Sequence, residues 1–430
     1  MSVPPPSATV LRSDAAASSR AGVDPRNLSI LIHDYAGHPF PVQLSRELAR
    51  RGHMVVHAYA GNLLTPRGGL ALKPSDPPSL CFQEVPMSSD YRTHKYSFFR
   101  RRGFEVDYGR ELAKLVKRLR PEIIISGQTP TEPQWRMIRE ARRLQIPVVS
   151  WVQDFYSAAV ARLARRKLPV IGAAVGWWYR HLDAKCFHAS AGIVAITEDF
   201  VPILADLGVP EDRVAVIPNW APIDELPVKP RRNGWSARHG FDDRFVFLYS
   251  GTLAMKHNPD LLRQLALCFH GDPAVHVVVI SEGPGAEYLQ RAKMEQHLAN
   301  LTLLPFQPFC EMPEVLASAD VLVAVLESDA GVFSVPSKVL SYHCAERSIL
   351  GAMPRQNLAA RIIGQAQSGP CVEPGDVAGF LSAAEQLRRD PSACLAMGNR
   401  ARTYAEREFE IGRIADRFLA VIQAARGANR

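Results

Sequence analysis

Short apolar runs alternate with longer amphipathic segments over most of this chain. Apolar runs of this length are typical of strands that are buried on both faces of a parallel sheet, with helices between them. The predicted strands are Leu28–Asp34, Met54–Tyr59, Glu122–Gly127, Pro147–Val152, Gly192–Ile196 and Val214–Pro218, then Arg244–Ser250, Val275–Ile280, Leu301–Phe306, Asp320–Leu326, Ser348–Met353 and Pro370–Glu373. Helical patterns close the chain at Val377–Arg389 and Arg402–Ala425. The pattern predicts an α/β protein.

A stretch rich in proline and charge separates the two sets of strands. Because 430 residues exceed one ordinary hydrophobic core, we expect two domains. The expected division is a disordered tail over 1–26, a first domain over 27–222, a linker over 223–240, a second domain over 241–400, and a final helical segment over 401–430 that packs back toward the first domain. Ligands of open α/β sheets sit at the carboxyl ends of the strands, so two such domains predict one cleft that holds two substrates.

The net charge of +8 and the pI of about 9.2 suit an anionic partner, which leaves nucleic acid, a membrane surface or a phosphorylated ligand. Nucleic acid is disfavoured because the basic residues are dispersed and no reading motif is present. The seven cysteines are scattered and form no C-x-x-C pair, which favours a reducing compartment. With neither a secretory leader pattern nor an apolar run of about 18 residues, we expect a cytoplasmic protein.

The stretch from Asp320 to Leu350 reads as a buried strand, a loop and a helix that begins at Pro336. Proline suits the first helical position, and the free N–H groups of Ser337 and Lys338 would point out of the helix start. The Lys338 ammonium adds a full positive charge. This combination predicts a seat for a phosphate or pyrophosphate group.

Several motifs in a fixed order carry a family resemblance. They are SILIHDYAGHPFPVQLSRELARRGHMV, AGIVAITEDF with VAVIPNWAP, FLYSGTLAMKHNPDLL, ISEGPG, LLPFQPF, SADVLVAVLE and VPSKVLSYHCAER. From Leu28 to the C-terminus the chain resembles the GT-B glycosyltransferases, specifically the retaining, GT4-like group of bacterial polysaccharide synthesis, such as the transferases for colanic-acid-type or O-antigen polymers. The resemblance implies a GT-B fold, in which two Rossmann-like, doubly wound domains face each other across a cleft.

The activity that the resemblance implies is transfer of a sugar, with retention, from a UDP- or GDP-sugar donor to a saccharide or lipid-linked saccharide acceptor. No metal and no further cofactor are expected. The residues implied on the donor side are Gly251, Thr252, Glu282, Gly283, Phe306, Gln307, Glu327, Gly331, Phe333, Ser334, Pro336, Ser337 and Ser341. Lys256 and Lys338 are expected to neutralise the leaving diphosphate.

Three donor positions leave alternatives open. Thr252 stands where many relatives carry arginine, so the two lysines would supply more of the charge. Ser341 stands where many relatives carry the glutamate that binds the ribose, and Glu327 could substitute for it. Phe306 either packs on the nucleotide base or belongs to the core.

On the acceptor side, Gly37, Gln128, Thr129 and Gln153 follow the ends of predicted strands. His38 could contact the donor sugar or the acceptor, or be structural. Asp154 could orient an acceptor hydroxyl or be a helix N-cap. With Lys256 and Lys338, these two residues form the expected catalytic set. No D-x-D string is present, and nothing completes a metal shell around His181, Cys186 and His188.

A basic segment that contains tryptophans and a helix cap at Glu346 lead to two further predictions. Arg162–Lys185 mixes arginines with tryptophans and, with Arg100–Arg102, either rests on anionic lipid headgroups or is a core helix with a solvated basic face. Glu346 stands where the family usually has glycine in a left-handed helix cap. The rival functions are a non-catalytic nucleotide-binding partner subunit and a nucleotide-sugar 2-epimerase.

Overall fold

The computed structural model describes residues 27–63, 67–88, 91, 98–127, 129–167, 169–253, 257–327 and 337–427, of which 98, 99, 159, 162, 163, 165–167 and 169–171 are described by backbone alone. The expected tail over 1–26 lies outside these ranges.

The first domain is built on a seven-stranded parallel sheet in the order β3-β2-β1-β4-β5-β6-β7. Its strands are β1 Ser29–Asp34, β2 Met54–Ala60, β3 Leu80–Val85, β4 Ile123–Gly127, β5 Val148–Val152, β6 Gly192–Ala195 and β7 Val214–Val216. The direction of winding reverses between β1 and β4, and a crevice opens at such a switch point. The segments that follow β1 and β4 therefore lie where a ligand of this domain would bind.

The second domain has a six-stranded parallel sheet in the order β10-β9-β8-β11-β12-β13. Its strands are β8 Phe245–Ser250, β9 Val275–Ile280, β10 Leu301–Leu304, β11 Val321–Val325, β12 Ser348–Ala352 and β13 Cys371–Val372. Here the switch point lies between β8 and β11. Gly251 follows the first of these strands, and Glu327 lies two residues beyond the second.

Helices cover both sheets. They are α1 Pro39–Arg50, α2 Phe98–Leu119, α3 Thr131–Arg143, α4 Tyr156–Lys167, α5 Pro169–Ala189, α6 Phe200–Asp206, α7 Gly234–His239, α8 Pro259–Cys268, α9 Pro284–Glu295, α10 Met312–Ala317, α11 Lys338–Cys344, α12 Leu358–Ala366, α13 Val377–Arg389, α14 Pro391–Glu408 and α15 Ile411–Gly427. In the described part of the chain, none of these helices is both long and apolar enough to cross a membrane.

Two expectations from the sequence need correction. Strand β3 was not predicted, because this edge strand is only partly buried and its sequence, LCFQEV, has no continuous apolar run. The single helix predicted over Arg402–Ala425 is two helices, α14 and α15. Helix α14 ends before Phe409. The Glu410 carboxylate then accepts hydrogen bonds from the backbone N–H groups of Gly412 and Arg413 at 2.7 Å each and caps the start of α15.

The last helix, α15, packs on the first domain. Its Phe418 ring lies 4.8 Å from the ring of Trp151 on β5, measured between centroids. Asp416 forms an ion pair of 2.5 Å with Arg51, which follows α1. Within residues 223–240, Trp235 is fully buried in the core of the second domain.

Candidate functional site

Glycine is required directly after β8, in the second domain. Gly251 has φ +128°, which side-chain-bearing residues rarely adopt. A Cβ atom at this position would lie 3.2 Å from Cε and 3.4 Å from Nζ of Lys338. The structure therefore places Gly251 and Lys338, two of the expected donor-side residues, in direct contact.

Two tyrosines hold Lys338 and this strand end together. The Lys338 ammonium lies 3.6 Å from the centroid of the Tyr249 ring, a cation–π contact. The Tyr249 hydroxyl donates to the carbonyl of Thr252 at 2.7 Å. Tyr342, one turn after Lys338, accepts from the N–H of Ser250 at 2.9 Å and donates to its carbonyl at 3.2 Å. Helix α11 thus fixes its lysine against the carboxyl end of β8.

Helix α11 is shorter than the sequence predicts. It spans seven residues and begins at Lys338, and exposed Ser337 is its N-cap residue, whereas the expected start was Pro336. The positive charge at this position therefore rests mainly on the Lys338 side chain. Ser341 is half-buried on the same helix.

The opposite face of α11 packs on the first domain. Leu340 and Cys344 belong to the same buried apolar cluster as Trp220 and Leu226. Arg402 donates from one guanidinium nitrogen to the carbonyls of Cys344 at 2.9 Å and Leu226 at 3.1 Å. The helix that carries the donor-side lysine is thus also part of the contact between the domains.

An open groove of about 690 Å³ borders β9 and β10. Glu282 lines it, and the Glu282 carboxylate accepts from the backbone N–H of Phe306 at 3.3 Å. The Phe306 side chain is 40% exposed, so it does not belong to the core. Gln307 accepts from the indole N–H of Trp235 at 3.2 Å, and Gly283 is the N-cap residue of α9 with φ +97°. Glu282 thus connects the groove to the segment that carries Phe306.

Six of the expected residues lie outside the described part of the chain. They are Gln128, Lys256, Gly331, Phe333, Ser334 and Pro336. Their roles stay predictions.

In the first domain, Asp34 at the end of β1 organises the turn that carries Gly37 and His38. Its carboxylate accepts from the backbone N–H of His38 and lies 3.5 Å from the Nδ1 atom of the His38 ring. Burial raises the pKa of the Asp34 carboxyl, but the charge and hydrogen bonds of His38 outweigh it and hold the pKa below its ordinary value. Gly37 has φ +76°, and a Cβ there would lie 2.9 Å from Leu70. The imidazole of His38 is thus held at the switch point.

The remaining expected acceptor-side residues line one small cavity of about 40 Å³ behind β4 and β5, which includes Thr129, Gln153 and Asp154. The Thr129 hydroxyl hydrogen-bonds within the domain, since it lies 3.0 Å from the carbonyl of Gly127 and 3.1 Å from Nδ1 of His33. Gln153 exchanges two amide hydrogen bonds with Asn219, of 3.2 and 2.6 Å. Asp154 is exposed, and Asp183 accepts from the N–H of Ser157 in the first turn of α4 at 3.1 Å.

Sequence reasoning missed a buried polar cluster beside this cavity. Glu105 on α2 pairs with Arg101 at 3.0 Å and accepts from the Tyr156 hydroxyl at 3.1 Å. Burial raises the Glu105 pKa to about 7, although the Arg101 charge opposes the shift. Asp183 on α5 accepts from the Thr131 hydroxyl at 2.6 Å, and burial raises its pKa as well. Acidic residues at these helical positions resemble solvated surface charges in the sequence, so no signal marked them.

Within the described residues, no group of three or more histidine, cysteine or acidic side chains could hold a metal ion. In particular, Cys186 is buried against the carbonyl of Thr131, whereas His188 is bound to the carbonyl of Leu207. The Lys338 ammonium can stabilise an anion electrostatically, and the groups at the first switch point can form hydrogen bonds.

Comparisons with known proteins identify similar folds and one similar family. Residues 41–225 match the family model described as Glycosyltransferase Family 4. No curated protein matches the chain significantly. Several solved structures match this chain over nearly its whole length. Because their sequence identities are low, these matches show a shared fold and nothing more.

HepE from Anabaena, in complex with UDP and glucose, matches with a TM-score of 0.68 at 11% identity, over 92% of this chain and 100% of that one. WaaG, a glycosyltransferase involved in lipopolysaccharide biosynthesis, matches with a TM-score of 0.62 at 15% identity, over 90% and 98%. Sucrose-phosphate synthase from Thermosynechococcus elongatus matches with a TM-score of 0.64 at 12% identity, over 92% and 98%. The GT-B fold and the GT4-like resemblance expected from the motifs are confirmed. We conclude that the chain has the GT-B fold and that its residues 41–225 are similar to glycosyltransferase family 4.

Proposed function

We propose that this glycosyltransferase moves a sugar from a nucleoside diphosphate sugar, with UDP-sugars as the first candidates, to a hydroxyl of a lipid-linked or polymeric saccharide, with retention. The main support for a donor site in the second domain is the contact between the Lys338 side chain and Gly251, at the switch point of the second sheet. Anabaena HepE, which shares the fold, was solved with UDP and glucose, and this supports testing UDP-sugars first.

The leaving diphosphate gains negative charge as the bond to the anomeric carbon breaks. We propose that Lys338 stabilises this charge, and its contacts with the Tyr249 ring and with the backbone at Gly251, at the strand end, support this role. Lys256 is proposed to add a second charge. We infer that these lysines, rather than a metal ion, supply most of the stabilisation.

The acceptor enters from the first domain. His38 is held by Asp34 beside Gly37, and exposed Asp154 borders the cavity near Gln153. We assign both residues to binding and orienting the acceptor hydroxyl, which attacks from the face that the leaving group vacates. Ion pairing between Arg361 on α12 and Asp199, 2.6 Å apart, links the two domains.

A thermal-shift titration with UDP, GDP and UDP-glucose tests the donor site. The wild-type protein should be stabilised by at least one of them, and Lys338→Ala should lose that stabilisation. Lys229→Ala, which changes an exposed lysine before α7, is the matched control and should respond like the wild type. An unchanged shift in Lys338→Ala would place the phosphate seat elsewhere.

The presence of Ser341 at the expected ribose position favours one alternative, a non-catalytic subunit that binds nucleotide. Product analysis with and without acceptor separates the possibilities. Transfer only when acceptor is added supports the proposed reaction, whereas sugar isomerisation without acceptor indicates an epimerase. Nucleotide binding with no turnover across UDP- and GDP-sugars would favour the non-catalytic subunit.

A further inference from the structure

Helices α4 and α5 form a long antiparallel hairpin between β5 and β6, and α5 exposes two adjacent tryptophans. Trp177 is 67% exposed and Trp178 is 51% exposed. The ring of His181, one turn further along, stacks on Trp177 with centroids 5.7 Å apart and an interplanar angle of 2°. Paired exposed indoles are costly in water, and they are favoured where an apolar phase meets a polar one.

The charged residues of the hairpin are almost all basic. Residues 156–189 contain six lysines and arginines and a single acidic residue, Asp183. Asp183 is buried, because its carboxylate binds the Thr131 hydroxyl and the N–H of Ser157. The outer surface of the hairpin therefore carries no carboxylate, while exposed Lys185 lies two turns from Trp177. Such a surface complements one that is both anionic and partly apolar.

The base of the same hairpin borders the small cavity beside Asp154, a residue that the proposed function assigns to the acceptor. Tyr156 and Asp183 line the cavity that also contains Thr129 and Asp154. Trp177 precedes Asp183 by six residues on α5, which corresponds to about 9 Å along the helix axis. A bilayer in contact with Trp177 would therefore lie close to the cavity, at a distance that the headgroup of a lipid-linked sugar can span.

We propose that the α4–α5 hairpin docks the protein on an anionic phospholipid bilayer, with Trp177 and Trp178 in the headgroup region. In this arrangement the hairpin lies in the plane of the bilayer surface. The location of the acceptor beside the bilayer rests on the proposed function, whereas the docking itself does not.

Vesicle flotation tests the proposal with the full chain. The wild-type protein should float with vesicles of mixed phosphatidylcholine and phosphatidylglycerol, less as salt rises, and poorly with phosphatidylcholine alone. The double variant Trp177→Ala/Trp178→Ala should bind the mixed vesicles at least about tenfold more weakly. Lys185→Glu should weaken binding to the mixed vesicles specifically.

Met294→Ala/Leu395→Ala is the matched control, since these apolar side chains are 68% and 61% exposed on the second domain. It should float like the wild type, and all variants should keep the wild-type melting temperature. A wild-type protein that floats with neither vesicle, or a tryptophan double variant that floats like the wild type, would overturn the proposal.

Two further outcomes are informative. If sedimentation velocity shows a dimer that the tryptophan double variant dissolves, without a change in vesicle binding, the surface contacts a second copy and the proposal is wrong. If flotation behaves as expected but no sugar transfer is found, the proposed function fails while the docking surface stands.

Discussion

The ring of Tyr249 lies directly under the ammonium of Lys338, with 3.6 Å between Nζ and the ring centroid. Tyr249 belongs to a central strand and is fully buried, so the position of the lysine is set by the sheet as well as by its own short helix. The expected phosphate-binding charge is thus fixed before any ligand arrives, which lowers the entropy cost of binding.

Replacement of Tyr249 should weaken nucleotide binding through this contact. A cation–π contact of this kind contributes about 1–2 kcal/mol, so Tyr249→Leu should raise the Kd for the nucleotide by roughly 5- to 30-fold. Tyr249→Phe keeps the ring and loses only the hydrogen bond to Thr252, so it should bind nucleotide like the wild type with slightly lower stability. Isothermal titration calorimetry measures both; equal losses in the two variants would contradict a role for the ring.

Adding one methyl group at Gly251 should displace Lys338. A Cβ atom would approach the lysine side chain to 3.2 Å in a backbone conformation that costs alanine about 1–3 kcal/mol. Gly251→Ala should therefore lose most of the nucleotide-induced thermal shift and lower the free energy of unfolding. Gly271→Ala, at a glycine whose Cβ would meet nothing within 4 Å, is the control. A normal nucleotide response in Gly251→Ala would argue that the close approach is not needed.

Glu346 is a stability defect that the sequence already indicates. Its φ is +58°, so the expected left-handed cap of α11 is confirmed with a glutamate in place of glycine. This conformation costs a side-chain-bearing residue about 1 kcal/mol. Glu346→Gly should raise the melting temperature by a few degrees in differential scanning calorimetry, and Glu346→Ala should not. A lowered value for the glycine variant would show that the glutamate side chain stabilises the cap.

The buried histidines should lower the stability of the protein below about pH 6.5, the ordinary pKa of histidine, and Glu105, whose pKa burial raises to about 7, offsets part of this loss. Burial lowers the pKa of His33, His57 and His343 to about 4 each. Between these values the unfolded chain binds protons that the folded chain does not, so acidification favours unfolding until about pH 4, where the effect levels off.

Each of the three histidines removes up to about 1.4 kcal/mol per pH unit in this window. Urea unfolding at pH 8, 7, 6 and 5 measures the slope. His343→Gln, which changes one of the three, should reduce it. A stability that is flat from pH 7 to pH 5 would show that these rings accept protons in the folded state.

The central strands were predictable because burial on both faces leaves a continuous apolar run, as in β8 and β9. The edge strand β3 was not, since its polar residues face solvent. Gly251 and Lys338 were found as separate motifs, but their contact depends on how α11 docks on β8, which no local pattern encodes. Likewise, Thr129 is bound to His33, 96 residues away, and that partner sets its role.

The two faces of α11 have different partners. Lys338 and Tyr342 contact the end of β8, while Leu340 and Cys344 pack among residues of the first domain. We therefore expect nucleotide binding at Lys338 to be thermodynamically linked to the angle between the domains, so that a ligand that favours one angle raises the affinity for a second ligand that favours the same angle.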